Sequence, residues 1–240
     1  MSARLQSRIE ELARTLGRVA LEHPPAALAS SLSAEDMVIT DAILTRGLEI
    51  EIFTLDTGRL HADTLKLIDA IRHRYGYPLR VHKPEPAAVE QYVIRFGRDA
   101  FYDDTALRKR CCEIRKVDPL RRALAGKSAW ITGMRRAQSV TRGELALQQA
   151  DPVHGIVKFN PLAQWSESEV WEYLHERDVP YNALYDQGYR SIGCAPCTRP
   201  TTPDEDVRAG RWWWEDAQTR ECGLHLGPDG RLARVKEHAA

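Results

Sequence analysis

The sequence predicts an α/β protein: a mostly parallel, twisted sheet with helices on both faces. Three observations predict it. Short apolar runs alternate with longer stretches of helical periodicity along the first two thirds of the chain. The runs end in small or turn-forming residues, Ser30-Ser31, Asp56-Thr57-Gly58 and Gly133, with helical patterns following the first two. Hydrophobic residues make up 43% of 240 residues, enough for the core of one large domain.

Leu5, Ile9, Leu12, Leu16 and Ala20 recur at helical spacing and predict an amphipathic helix over 3–22, stopped by Pro24-Pro25. Residues 26–29 read as a buried strand. The next helix carries Met37, Val38, Ile39, Ala42, Ile43 and Leu44 on its apolar side and Asp41 on its polar side. Strand 49–55 leads to a helix with Leu60, Leu65, Leu67, Ile68 and Ile71, then strand 78–82 and a helix over 86–95. Residues 97–110 read as polar and irregular, and a helix is expected over 111–124, interrupted at Pro119. Strand 128–132 ends at Gly133, and 145–150 and 155–159 are strand-like. Ser166-Glu167-Ser168-Glu169 is a capping box that opens a helix, 176–202 is rich in loops, and the remainder is a polar, mobile C-terminal segment with Trp212, Trp213 and Trp214 as its apolar cluster.

Lys and Arg total 34, as do Asp and Glu, so no global positive field points to nucleic acid or an anionic membrane. No apolar run approaches the ~20 residues of a spanning helix, and the N-terminus has no signal-peptide core. The chain reads as cytoplasmic, where paired cysteines bind metals or do redox chemistry more often than they form structural disulfides.

Five cysteines are present: Cys111 and Cys112, Cys194 and Cys197, and Cys222. Two pairs can hold four thiolates on one metal centre. Adjacent cysteines tend to diverge, which is awkward for one tetrahedral zinc and better tolerated by the separate irons of a cubane iron–sulfur cluster, with zinc, a disulfide or buried thiols as the alternatives. Lys116 lies one turn beyond Cys112, where it either places positive charge between the cluster and a bound anion or is a surface lysine. Cys222, in Glu221-Cys222-Gly223-Leu224-His225, is the candidate nucleophile; His225, Arg208, Arg211 and Arg220 are cations close enough in sequence to lower its pKa. The alternative is an incidental thiol on a frayed tail. Ser30, Ser31 and Ser33 precede a helix and can present hydroxyl and N–H donors to an anion; the plainer reading is a capped turn with Ser33 as N-cap and Asp36 at N3. Arg135, Arg136 and Arg142 crowd a strand end with Gln138, Ser139 and Thr141, as an anion site or a solvated face, and Asp56 is either a ligand contact or a plain turn residue.

With these residues in place, the chain resembles the bacterial, cluster-containing adenylyl-sulfate reductases of the PAPS/APS reductase family. The likeness rests on the cysteine set and on 31–36, 55–58, 110–120, 132–142 and 189–198. It implies an adenine nucleotide alpha hydrolase-like fold and a [4Fe-4S] cluster on Cys111, Cys112, Cys194 and Cys197. It also implies reduction of adenylyl sulfate to sulfite and AMP through an S-sulfocysteine on Cys222. By position, Lys116, Arg115, Arg135, Arg208, Arg211 and His225 match substrate-site residues. Leu55 and Gly133 match backbone contacts to adenosine, and Ser31, Ser33, Glu35 and Asp36 lie in the phosphate-side loop. Arg220 stands where many relatives carry Lys, which keeps the charge. Residues 1–202 are then the nucleotide-binding reductase domain, and 203–240 an arm carrying Cys222 within the same functional unit. With four cysteines on the cluster, no second thiol remains to release sulfite, so thioredoxin or glutaredoxin is the expected reductant; the sequence ends at Ala240 without the fused thioredoxin-like domain of plant relatives. A homo-oligomer is compatible with all of this. The nearest rival is a PAPS reductase, against which the paired cysteines argue. A non-catalytic metal protein and an ATP pyrophosphatase-type ligase are the others, the latter disfavoured by Leu32 and Ala34 where a glycine-rich loop belongs.

Overall fold

The computed structural model describes residues 2–138 and 145–216. Six strands form one sheet: β1 (Ala26–Ser30), β2 (Ile50–Leu55), β3 (Arg80–His82), β4 (Ala129–Ile131), β5 (Gln148–Asp151) and β6 (Ile156–Phe159). Their order is β3-β2-β1-β4-β6-β5, parallel throughout except for the antiparallel β5–β6 pair at one edge. Among the described residues seven α-helices accompany them: α1 (Ala3–Glu22), α2 (Ala34–Leu44), α3 (Ala62–Tyr75), α4 (Pro86–Phe96), α5 (Thr105–Cys112), α6 (Asp118–Leu124) and α7 (Glu167–Glu176).

Strand alternation decides which face each residue serves. Ala26, Leu28, Ile50, Ile52, Ala129 and Ile131 join the core with α1, α2, α3 and α7. Their neighbours Ala27, Phe53 and Trp130 join the opposite core with Leu120, Ala123 and Leu124 of α6. Both faces are therefore covered, as the near-continuous apolar strands require. A third, smaller core holds Tyr92, Ala100 and Ile114, with Cys111 packed against it.

The helix starts follow local chemistry. The Ser2 hydroxyl accepts from the Leu5 N–H at 3.2 Å, and Ser166 and Glu169 form the expected capping box. Three expectations change. Asp41 is buried at 2% exposure, because α2 is enclosed almost all round; its carboxylate accepts from Tyr75 Oη (2.9 Å) and Tyr173 Oη (2.6 Å). Helix begins within the stretch read as irregular: Asp104 caps α5 by accepting from the Ala106 N–H at 2.7 Å. Pro119 does not interrupt α6. A π-turn over Glu113–Val117 precedes it, with Asp118 N–H reaching back to the Glu113 carbonyl, and this wider turn joins α5 to α6 just before the residue that has no N–H to give. Among the described residues no helix is long and apolar enough to cross a membrane. Of the arm expected over 203–240, residues 203–216 are described and 217–240 lie outside the described residues.

Candidate active site

The sheet order reverses direction between β1 and β4, and ligands of open α/β sheets bind beyond the carboxyl ends at such a point. A cavity of ≈ 250 Å³ opens there, lined by the strand-end residues Ser31, Leu55 and Gly133 and by Lys116, Arg208 and Arg211, among others.

One carboxylate ties the first loop to the last. Asp36 accepts from Ser31 N–H (2.6 Å), Ser31 Oγ (2.6 Å) and Gly133 N–H (2.9 Å). Burial pushes its pKa up to about 6, against the pull of those hydrogen bonds. A Cβ on residue 133 would lie 2.4 Å from Asp36 Oδ1 and 2.8 Å from Glu35 Cβ, so this strand end admits only glycine without displacement. Ser33 takes the N-cap position of α2 without a side-chain capping bond, and Asp36 turns to Ser31 and Gly133; the plain capped turn is not formed. Glu35 and Arg135 form a buried pair, with Arg135 Nη2 2.8 Å and Nε 2.9 Å from Glu35 Oε1. Tyr185 Oη accepts from the Ala34 N–H at 3.1 Å. Asp56 is a turn residue, accepting from the Gly58 N–H at 2.9 Å, and Arg136 donates to the Leu145 carbonyl.

Beside the cavity the four paired cysteines come together as free thiols, Cys112 and Cys194 buried, Cys111 and Cys197 half-buried. The first pair ends α5, immediately before the π-turn. The second flanks a 3-10 turn held by Cys197 N–H on the Cys194 carbonyl (2.9 Å) and by Ala195 N–H on the Arg59 carbonyl (2.7 Å). Thr57 Oγ1 lies 3.2 Å from Cys194 Sγ. The sulfurs feel one another: burial pushes the Cys197 thiol up to about 12, with Cys194 and Cys112 adding to the rise and Lys116 and Arg211 opposing it. Burial likewise raises Cys111, Cys194 adds to it, and Arg115 and Lys116 oppose it. Yet among the described residues no group of three Cys, His, Asp or Glu is set for a single metal ion. Four free thiols within electrostatic reach of one another and faced by cations fit a metal cluster.

Lys116 lines the cavity and acts on Cys111 and Cys197, so it stands between the two regions. Arg115 is placed on the cysteine side. It is 8% exposed, donates to the Thr57 carbonyl at 2.7 Å and to Cys111, and is not part of the cavity wall. Arg211 donates to the Ile192 carbonyl at 3.1 Å and approaches Gly193 so closely that a Cβ there would lie 2.4 Å from Nη2. Sequence reasoning placed Thr57 and Gly193 only within the 55–58 and 189–198 stretches, without these contacts, and missed Tyr185; the glycine immediately before Cys194 was the one available signal. Cys222, His225, Arg220, Ser139, Thr141 and Arg142 lie outside the described residues.

A doubly wound sheet with a cavity beyond its strand ends and an adjoining set of four cysteines defines the class, an α/β protein shaped to take a ligand at the switch point of its sheet. Residues 25–200 match the phosphoadenosine phosphosulfate reductase domain, and the chain belongs to that family. It is 53% identical over 226 residues to the adenosine 5'-phosphosulfate reductase of Burkholderia cepacia, covering 94% of this chain and 90% of the relative. The enzyme of the same name from Allochromatium vinosum is 54% identical over 210 residues, with 88% and 82% covered. The crystal structure of phosphoadenylyl-sulfate (PAPS) reductase from Candida auris, a phosphate complex, superposes with a TM-score of 0.69 at 25% identity, covering 83% of this chain and 98% of that one. These likenesses agree with the expected adenine nucleotide alpha hydrolase-like fold.

Proposed function

We propose that this chain reduces adenylyl sulfate to sulfite and AMP at the expense of an external dithiol, in sulfate assimilation. The observation that carries the reading is the cysteine cage set against a strand-end cavity, with Lys116 between them. Relatives with the same arrangement of length and sequence bear the name of that activity, which favours the unphosphorylated nucleotide over its 3′-phosphorylated form.

In this reading the adenosine lies along the strand ends at Leu55 and Gly133, and the phosphate faces the loop of Ser31, Ser33, Glu35 and Asp36. Arg135, held by Glu35, stiffens that loop. Lys116, Arg208 and Arg211 face the phosphosulfate and offset charge on the leaving oxygen, and Arg115 acts from the cysteine side. Cys111, Cys112, Cys194 and Cys197 hold a [4Fe-4S] cluster. Bound there, the cluster supplies a fixed anionic centre around which these cations are ordered. Cys222 thiolate attacks the sulfuryl sulfur, the S–O bond to AMP breaks, and an S-sulfocysteine forms. His225 is the neighbouring group that favours the thiolate. One thiol of thioredoxin or glutaredoxin then attacks Cys222 Sγ and releases sulfite; its second thiol resolves the mixed disulfide and regenerates Cys222. Such thiol chemistry belongs in a reducing compartment, which supports a cytoplasmic location.

The test is anaerobic purification with iron and sulfide analysis, then mass spectrometry after incubation with adenylyl sulfate. A sulfite-sized addition on Cys222, absent in Cys222→Ser, is expected. Faster turnover of the 3′-phosphorylated nucleotide than of adenylyl sulfate would overturn the substrate assignment.

A further inference from the structure

A single buried side chain joins the first cysteine pair to the last described turn of the chain. Arg108 is 0% exposed and sits one helical turn before Cys112, to which it hydrogen-bonds. Its guanidinium grips Glu215 with two parallel bonds, Nε to Oε1 and Nη2 to Oε2, both 2.8 Å. Its Cζ lies 4.7 Å from the centre of the Trp212 ring. The same turn reaches the second cysteine pair: Trp212 N–H donates to the Cys197 carbonyl at 3.2 Å, and Arg211 Cζ lies 4.6 Å from the Trp212 ring.

The energetics favour a positioning role. A guanidinium removed from water is stable only where anions and hydrogen bonds replace its hydration, and the Glu215 fork supplies both. Trp212 has φ 43°, a left-handed backbone that a bulky side chain holds only when its surroundings over-determine it. Arg108 beneath the ring, Glu215 N–H on the Trp212 carbonyl (2.9 Å) and the Cys197 carbonyl are those surroundings. Arg211, next in sequence, lines the cavity.

We propose that Arg108, through Glu215 and Trp212, seats residues 211–215 on the cysteine site and thereby sets Arg211 in the nucleotide cavity. It is a positioning residue, and its role rests on the proposed reading only in that the cavity takes an adenine nucleotide and the cysteines a cluster. The test compares the anaerobically purified protein with Glu215→Gln and Arg108→Lys, the second keeping the charge but not the fork. Three quantities are read: tryptic cleavage after Arg211, loss of cluster absorbance to a chelator, and AMP affinity. Both variants are expected to be cut after Arg211 at least about tenfold faster, which is ~1.4 kcal/mol off the local opening free energy. Bleaching accelerates by a similar factor and AMP binds several-fold more weakly, while iron content and cleavage within α1 stay as in the parent. A general packing role would instead raise cleavage everywhere. Cleavage after Arg211 and AMP affinity within twofold of the parent in both variants would overturn the proposal; if Arg108→Lys does not fold, Glu215→Gln decides. A preparation without iron defeats the cluster reading alone, since the cleavage assay still judges Arg108.

Discussion

The strand-end cavity and the cysteine cage share a wall, yet their charges are settled in opposite ways. In the cavity loops the charged groups answer one another: Arg135 is paired with Glu35, and Asp36 is saturated by Ser31 and Gly133. In the cage, four thiols face Arg115, Lys116 and Arg211, while Arg108, itself paired with Glu215, reaches Cys112. The first region is complete as a scaffold and offers backbone to a ligand. The second collects cations around sulfur, an arrangement that suits four thiolates on a cluster far better than four neutral thiols.

Substitutions on either side of the shared wall can break or sharpen that contrast. The largest effect is expected from Cys197→Ser: near-complete loss of bound iron and of cluster absorbance, with AMP affinity kept within about threefold because the Ser31, Asp36 and Gly133 loops hold one another and the backbone contact of Trp212 to the residue 197 carbonyl is retained. Equal loss of AMP binding would show that the two regions are one unit. Lys116→Gln tests the wall itself. Steady-state kinetics with adenylyl sulfate should give kcat down about 10²-fold, with KM little changed and iron retained, the size of effect seen when one donor to a developing oxyanion is removed.

Asp36 gives a pH signature. Its pKa, raised to about 6 by burial, lies above the unfolded value near 3.8, so the native state holds the proton more tightly than the unfolded chain. The stability that this group contributes is present at low pH and falls as pH rises from about 4 to about 6, by on the order of 2 kcal/mol. Urea unfolding of the parent and Asp36→Asn across that window should show the parent losing ground by that amount; a constant difference would mean an ionised carboxylate at all these pH values. Gly133→Ala is the mildest of the four. The added methyl displaces Asp36, and AMP affinity should fall about tenfold with iron content unchanged.

Much of the fold was legible because its signals are local. Strand and helix periodicities, the Pro24-Pro25 stop and the 166–169 capping box are properties of short windows, and the structure reproduces them within a few residues. α5 was not legible, because its fully buried side chain is Arg108 rather than an aliphatic residue, so the apolar pattern breaks where the helix packs. Asp41 reads as solvent-facing for the same reason. A charge on a helix implies water unless partners such as Tyr75 and Tyr173, 34 and 132 residues away, are known.

The sequence by itself determined most of the elements, the parallel sheet with its strand-end loops, and the grouping of cysteines into two pairs and one. Periodicity and side-chain chemistry are carried within short stretches of chain. Only the tertiary structure decided which charges meet: Glu35 with Arg135, Asp36 with Ser31 and Gly133, Arg115 with Thr57 and Cys111, and Arg108 with Glu215. Most of these partners lie tens to a hundred residues apart, and burial selects among many possible pairings the few that leave no charge stranded away from water.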